Sequence, residues 1–367
     1  MARNLKTYQF QNGITLRNPF VLAPMTTYSS NADLTLSQEE EAYYRARAKS
    51  FGMIITAATA VNKNAQAFEH QITIRDDRYI ESMTRLANAI KEEGSVGVLQ
   101  LHHGGRMCQP NLFKNQRIVA PSAVKAEREF AVTPEKLKIS EIYDIIDDFK
   151  DATKRALQAG FDGVELHGAN TYLIQQFFSP HSNRRIDEFG GSVEKRMRFI
   201  RLLVDAVLEV KEEADRPFIV GYRFSPEEIE EPGITLNDTL QLVDYLSETH
   251  LDYLHISIGH YDKASLRDKT DSTPVVTKIQ SVLQNKIPLI GVGGIHSLKD
   301  VELANRLGYD LYALGMGALA DPDIPNKLIN EAPLKNTIDE ASVLPKPLKE
   351  RLKHWGDGLE KRGYKIK

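Results

Sequence analysis

The sequence predicts an α/β fold: a single (β/α)8 TIM barrel with an N-terminal β-hairpin cap and a C-terminal helical or extended tail. Three observations predict it. About eight short apolar runs, each the size of a strand, alternate with helical or loop-plus-helix segments. The chain's 367 residues somewhat exceed the ~250 usual for such barrels, which leaves room for insertions. Polar residues and glycines collect where the runs end, the edge at which α/β folds place their chemistry. A doubly wound sheet is the rival, but Pro24-Met25-Thr26 stands where its Gly-x-Gly-x-x-Gly turn would follow the first strand.

Taken in order, Tyr8 to Leu16 reads as a hairpin around Gln11-Asn12-Gly13, with Asn-Gly supplying the positive φ angles and the pair closing one end of the fold. Phe20 to Ala23 is the first barrel strand. Ser37 and Glu40 form a capping box for a helix reaching Lys49. Met53 to Ala57 is a strand, Ile80 to Glu92 a helix stopped at Gly94, and Val96 to Leu101 the third strand. Residues 107–138, weakly periodic and containing prolines, read as an excursion over the strand ends. Ser140 caps an amphipathic helix whose buried side carries Ile142, Ile145, Ile146, Phe149 and Ala152, and Gly160 stops it.

Val164 to Leu166 is the fourth strand, followed by a polar loop over 173–191 and a helix from Ser192 to Glu213. Ile219 to Phe224 is the fifth strand, and a helix spans about Asn237 to Thr249. Tyr253 to Ile258, Pro288 to Val292 and Leu311 to Leu314 are the last three strands, separated by helices at Val275 to Gln284 and His296 to Leu307. Residues 1–330 form the barrel unit. Residues 331–367, proline-containing and charged, read as an arm packing on the barrel or on a neighbouring subunit, so a homo-oligomer is expected.

With 41% hydrophobic residues the chain can bury a sizeable core, and its net charge of −3 shows no basic excess. Neither nucleic acid nor an anionic membrane is favoured as a partner, which leaves small molecules. One cysteine, Cys108, excludes an intrachain disulfide framework and a cluster held by several thiolates. Met1 to Tyr8 lacks the apolar core of a secretory signal, and no run is long enough to span a bilayer, so a cytoplasmic protein is expected.

The chemistry concentrates at Gly163 to Tyr172. His167, Asn170 and Tyr172 fall where the fourth strand gives way to its loop. An imidazole and an amide can both donate to one oxygen while a phenol supplies a proton nearby, which suits polarising a carbonyl and protonating a neighbouring carbon. Taken singly, these residues also have plainer uses: tying down a backbone carbonyl, turning the chain, packing a rim. Gly293-Gly294 and Gly315-Met316-Gly317 end the last two strands, where barrels commonly hold a phosphate on bare backbone N–H groups. Arg223 at the end of the fifth strand needs a partner, either Glu165 or another carboxylate, or a ligand that becomes anionic; Gln100 on the third strand is a ligand contact or a satisfied core amide. No lysine or metal-ligand set stands at the strand ends as an aldolase or metal-dependent isomerase would need.

Several separate stretches now carry a family resemblance, running from the hairpin to about Pro325. They are Asn18-Pro-Phe-Val-Leu-Ala-Pro-Met25, Gln100-Leu-His-His-Gly-Gly-Arg106, Gly160 to Tyr172, and Phe178-Ser-Pro-His-Ser-Asn-Arg-Arg-Ile-Asp-Glu-Phe-Gly-Gly191. The chain resembles the old yellow enzyme family of FMN-dependent NAD(P)H oxidoreductases. The resemblance implies FMN across the barrel mouth, lined by Pro24, Met25, Thr26 and Ala58, with Gln100 on its pyrimidine edge and Arg223 beside the position that turns anionic on reduction. Gly293, Gly294, Gly315 and Met316 would hold its phosphate. His167 and Asn170 would grip the substrate's activating oxygen, Tyr172 would donate the proton, and Tyr28 would border the pocket.

The implied reaction uses NADH or NADPH to reduce the activated C=C bond of an α,β-unsaturated carbonyl or similar electron-poor alkene. Reduction of quinones, nitro compounds or free flavin, which needs FMN but not Tyr172, is the second reading; flavin binding without substantial turnover is the third. Met316 departs from the arginine that many relatives place after the last strand's glycine, so phosphate binding leans on backbone N–H groups. Thr26 stands where some relatives have cysteine, and Cys108 reads as an ordinary loop or core residue.

Overall fold

The computed structural model describes residues 5, 7–112, 117–361 and 363–367. The reading of Met1 to Tyr8 and of the excursion over 107–138 therefore falls partly on residues 1–4, 6 and 113–116, outside the described residues, as does position 362 of the tail.

Eight parallel strands close on themselves: β1 (Phe20–Leu22), β2 (Met53–Ile55), β3 (Val96–His102), β4 (Gly163–Gly168), β5 (Ile219–Phe224), β6 (Tyr253–Ile256), β7 (Leu289–Val292) and β8 (Leu311–Leu314). Closure is made where Val21 on β1 registers with Ala313 on β8. The outer helices are α1 (Gln38–Ala48), α2 (Ile80–Lys91), α3 (Ile139–Gln158), α4 (Val193–Glu212), α5 (Leu236–Ser247), α6 (Val275–Leu283) and α7 (Leu298–Arg306). The expected barrel is the observed one.

Each strand alternates, and the two faces see different neighbours. Outward residues such as Leu22, Ile54, Leu99, Val164 and Val220 pack under the helices in the main core. Inward residues Val21, Met53, Ile55, Val98, Ile219, Tyr253, Ile290 and Leu311 form a second apolar cluster inside the barrel, and the hairpin residues Phe10 and Leu16 plug it from below. Toward the C-terminal ends the inward positions turn polar: Gln100, His102, Glu165, His167, Arg223 and His255, all buried.

The structure corrects the sequence reading locally. The hairpin strands are only Tyr8–Gln9 and Thr15–Leu16, and Gly13 alone in the turn has positive φ, +91°. Asn12 instead accepts from Ile14 N at 3.2 Å and donates to Phe218 O at 3.1 Å, fastening the turn to the barrel floor. The start of α3 lies earlier than Ser140, because the Glu141 carboxylate accepts the Lys138 N–H at 2.7 Å and begins the helix there. Within the expected polar loop, Leu173–Phe178 is a short helix, since Leu173, Ile174, Phe177 and Phe178 are all buried and give it an apolar side. The Ser37–Glu40 capping box is present, and buried Glu40 also accepts from Thr27 and Ser30, pinning the loop that leaves β1.

The tail returns to its own barrel. Its helix α8 (Lys346–His354) is tied by Lys346 N to Glu39 Oε2 at 2.7 Å, and Val343 O accepts from buried Arg47 at 3.0 Å. Among the described residues no helix is long and apolar enough to cross a membrane.

Candidate active site

The polar inward residues and the loops after the strands meet at one mouth. His167, next to last in β4, opposes Arg223 of β5, which in turn opposes His255 of β6. The His167 and Tyr172 ring centroids are 5.1 Å apart, and His102 packs edge-on against both, at 5.4 Å from His167 and 4.4 Å from Tyr172. Phe68, from the loop after β2, touches His102 and Tyr172 at 5.9 Å each and Tyr28 at 5.8 Å. Tyr28, His167 and Tyr172, expected together, thus share one wall.

Hydrogen bonds set which nitrogen of each imidazole carries the proton. Gln71 Oε1 accepts from Ala67 N at 2.8 Å and Phe68 N at 3.2 Å, so its amide nitrogen must point the other way, to Ala58 O at 2.9 Å and His102 Nδ1 at 3.1 Å. His102 Nδ1 is therefore an acceptor, its proton sits on Nε2, and that buried N–H has no partner among the described residues. His167 Nδ1 likewise accepts from Ala169 N at 3.4 Å, leaving an Nε2–H donor. Burial keeps these rings neutral: it pulls His102 down to about 3, with His103 adding to the effect, and holds His167 well below the ordinary range, with His102 next in importance.

Asn170 is exposed and held in the left-handed region, φ +58°. Its backbone N–H donates to Ser225 Oγ at 2.9 Å and its Oδ1 accepts from Ser257 Oγ at 2.8 Å, which leaves the Nδ2 donors for a ligand. Tyr172 is held protonated, because burial raises its phenol above the ordinary value.

Below this wall lies a buried charge network. Glu165 accepts from Gln100 Nε2 at 2.7 Å and pairs with His255 Nδ1 at 2.9 Å. Burial alone would raise this carboxyl, but His255, Arg223 and Gln100 together bring it below its ordinary value. Burial holds His255 down and neutral, so Nδ1 donates to the carboxylate. Gln100, read as a ligand contact or a satisfied core amide, is half of each: its donor is taken by Glu165, and its Oε1 is left as an acceptor. Arg223 is buried, and its Nε has no partner among the described residues.

Pro24, Met25 and Thr26 are half-buried just after β1, Ala58 follows β2, and Met25 Sδ lies 3.6 Å from where a Gly315 Cβ would stand. That contact joins the loops leaving β1 and β8. Gly293 and Gly294 both have positive φ, +93° and +76°. Side chains are also barred there by the loop after β6: a Cβ would come within 2.6 Å of Gly259 O or 2.2 Å of His260 Nε2. Met316 begins a short helix, Met316–Ala320. Cys108 is buried away from solvent, and burial raises its thiol, so it is inert packing.

Sequence reading did not assign His102, His255, Gln71, Phe68 or Arg351, all of which shape this mouth. The inward alternation of Tyr253 and His255 along β6 was the signal available for His255. A separate cleft of about 550 Å3 lies at the hairpin end, lined by Phe10, Asn12, Lys211, Asp252 and Pro288 among others, at the opposite end of the barrel from these groups.

These features accept a flavin. A buried guanidinium with an unpartnered nitrogen, a free amide acceptor on Gln100 and half-buried backbone at Gly293, Gly294 and Gly315 are the contacts that an anionic, ring-shaped, phosphorylated group would complete. Known proteins agree with this geometry. The protein-family model described as the NADH:flavin oxidoreductase / NADH oxidase family matches residues 6–335. The NADH:fumarate oxidoreductase of Klebsiella pneumoniae is 43% identical over 354 residues, covering 94% of this chain and 38% of that protein. The NADH:acrylate oxidoreductase of Vibrio harveyi is 43% identical, with 95% of this chain and 36% of that protein covered. This chain thus spans little more than a third of the length of those two relatives. The probable NADH-dependent flavin oxidoreductase YqiG of Bacillus subtilis is 42% identical, with 93% of each chain covered. Among solved structures, morphinone reductase in complex with tetrahydroNAD is 28% identical with a TM-score of 0.78, covering 90% of this chain and 91% of that one. The old yellow enzyme homologue from Zymomonas mobilis is 27% identical with a TM-score of 0.78, covering 90% and 94%.

Proposed function

Since the chain belongs to the NADH:flavin oxidoreductase / NADH oxidase family, the old yellow enzyme family, we propose that it is an FMN-dependent NAD(P)H oxidoreductase that reduces activated C=C bonds. The observation that carries this reading is the ring contact of His167 with Tyr172 at the barrel mouth, with Arg223 level with His167, Gln100 one inward position lower, and Asn170 in the loop between the two rings in the chain, its amide nitrogen left free.

When bound, FMN supplies the hydride, received from NADH or NADPH. Pro24, Met25, Thr26 and Ala58 would line the ring system, Gln100 Oε1 would accept a hydrogen bond from it, and Arg223 would supply the fixed positive charge. Gly293, Gly294, Gly315 and Met316 would offer backbone N–H groups to the phosphate. His167, neutral and proton-bearing at Nε2, and the Asn170 amide donate to the substrate's activating oxygen and draw charge from the alkene. Tyr172 keeps its proton at physiological pH and gives it to the α-carbon. Tyr28 and Phe68 exclude water from the wall that faces the alkene.

The test is the absorption spectrum of the purified protein followed by NADH and NADPH oxidation with a simple enone. A flavin spectrum with steady turnover supports the reading, and Tyr172→Phe should lower alkene reduction by about 10²-fold or more. The likeness to a Bacillus subtilis protein named as a flavin oxidoreductase over 93% of each chain favours a second reading, reduction of free flavin, quinones or nitro compounds. Turnover of those acceptors with no effect of Tyr172→Phe on any alkene would select it. A yellow protein with no turnover would leave flavin binding alone.

A further inference from the structure

The buried carboxylate of Glu165 has no task in the reaction just described, yet it sits among the groups that hold the cofactor. Register places it level with Gln100 on one side and Gly221 on the other, one inward position below His167 and diagonal to Arg223. Gly221 has no side chain to offer, and the space is taken by the ring of Tyr253, whose Cζ would lie 2.0 Å from a Cβ at that position. The floor of the barrel, topped here by the Tyr253 phenol, therefore reaches up to the carboxylate. Its short contacts go to Gln100 at 2.7 Å and to His255 at 2.9 Å, each from a neighbouring or next-but-one strand. Arg223, fully within reach of its field, is left with an unpartnered Nε.

That arrangement is unusual for a buried arginine and a buried carboxylate, which attract strongly at low dielectric and ordinarily pair directly. Here neutral His255 and Gln100 grip the carboxylate from the sides. Two consequences follow from the same hold. The Gln100 amide is fixed with its nitrogen on Glu165, so its oxygen is the end presented to a ligand. The guanidinium stays free to face a ligand while a negative charge stands close behind it.

We propose that Glu165 is a positioning residue that sets the charge balance of the flavin site: held off Arg223 by His255 and Gln100, it offsets that cation and lowers the reduction potential of the bound flavin. A reduced flavin carries more negative charge than an oxidised one, so the site's net field decides how far reduction is favoured. Arg223 alone would favour the reduced form strongly. With Glu165 behind it, the flavin gives up hydride more readily. This rests on the flavin reading above.

The experiment measures the midpoint potential and FMN dissociation constant of the FMN-loaded protein, of Glu165→Gln, of Arg223→Met, and of the two changes combined. Glu165→Gln should raise the potential by at least a tenfold change in the reduction equilibrium, about 30 mV for a two-electron couple. In the Arg223→Met background the same change should shift it less than half as far. His255→Gln, which loosens the carboxylate's outer hold and lets it approach Arg223, should move the potential the opposite way, by about threefold. An FMN-loaded Glu165→Gln protein at the wild-type potential would overturn the proposal, and so would an equal shift with and without Arg223, which would show that the carboxylate does not act through that cation. Should Glu165→Gln fail to fold, an unchanged potential in His255→Gln overturns it as well. A wild-type protein that takes up no FMN would remove the flavin reading itself, a different result from any of these.

Discussion

The guanidinium carbon of Arg351 lies 3.9 Å from the centroid of the Tyr28 ring, while its Nη2 reaches Glu69 Oε2 at 2.6 Å. The last long helix of the chain thus covers a residue that leaves the first barrel strand, beside the wall made by Phe68 and Tyr172. Burial already raises the Tyr28 phenol, and Arg351 works against that rise. Removing the cation leaves burial and Glu69 unopposed. Arg351→Met, which keeps the cover over the ring and removes the charge, should therefore move the Tyr28 titration further up, read by NMR of ring-labelled tyrosine, and cost about 1 kcal/mol of stability through the lost cation–π contact. A Tyr28 midpoint that stays put or falls would mean that the contact is not made in solution.

Acid should destabilise this protein earlier than its surface carboxylates alone would require. His102 and His103 are buried and neutral, with burial holding both down to about 3, against ~6.5 in an unfolded chain. As pH falls below about 6.5 the unfolded state takes up protons that the native state refuses, so the stability these residues contribute is present above that pH and lost toward 3. Each should contribute a slope of about 1.4 kcal/mol per pH unit. Urea midpoints that agree at pH 7.5 and pH 5 would contradict this.

Gly221→Ala should be costly although the change is a single methyl, because that methyl would stand 2.0 Å from Tyr253 Cζ inside the closed barrel. Overpacking of this kind costs about 1–3 kcal/mol. Gly356→Ala, where nothing lies within 4 Å of the added carbon, should be nearly neutral in the same denaturant titration. Equal costs at the two positions would refute the packing argument.

Asn170→Gly separates fold from chemistry. Its φ of +58° suits glycine, so stability should change by no more than about 1 kcal/mol. Alkene turnover should nevertheless fall by about 10²-fold, the usual loss when one donor to a developing oxyanion is removed. Normal turnover in the folded variant would show that the amide does not touch the substrate oxygen.

The barrel was legible because its strands are short apolar runs separated by capped helices: Ile219–Phe224 and Leu311–Leu314 have the very bounds that their patterns predict. His167, Asn170 and Tyr172 were legible because three polar residues interrupt the end of one such run. Leu173–Phe178 was not, since six residues are too few for helical periodicity to stand out from a loop. Gln71 and Phe68 sit in a connection with no pattern of its own, and their link to His102 exists only once β3 lies beside that loop. The coupling of Glu165 to His255 joins residues 90 apart, and that of Arg351 to Glu69 joins residues 282 apart. No local signal encodes either.

The closing pair of β1 with β8 and the cover that Arg351 gives Tyr28 have a consequence for synthesis. A ribosome delivers the first strand nearly 300 residues before its lateral partner, Tyr312 opposite Phe20, and the arginine later still. Until then the nascent sheet keeps two unpaired edges, the kind of surface that recruits other chains. Shielding of that open sheet by a chaperone would therefore matter more to the yield of this protein than to that of a chain whose neighbours in space are neighbours in translation.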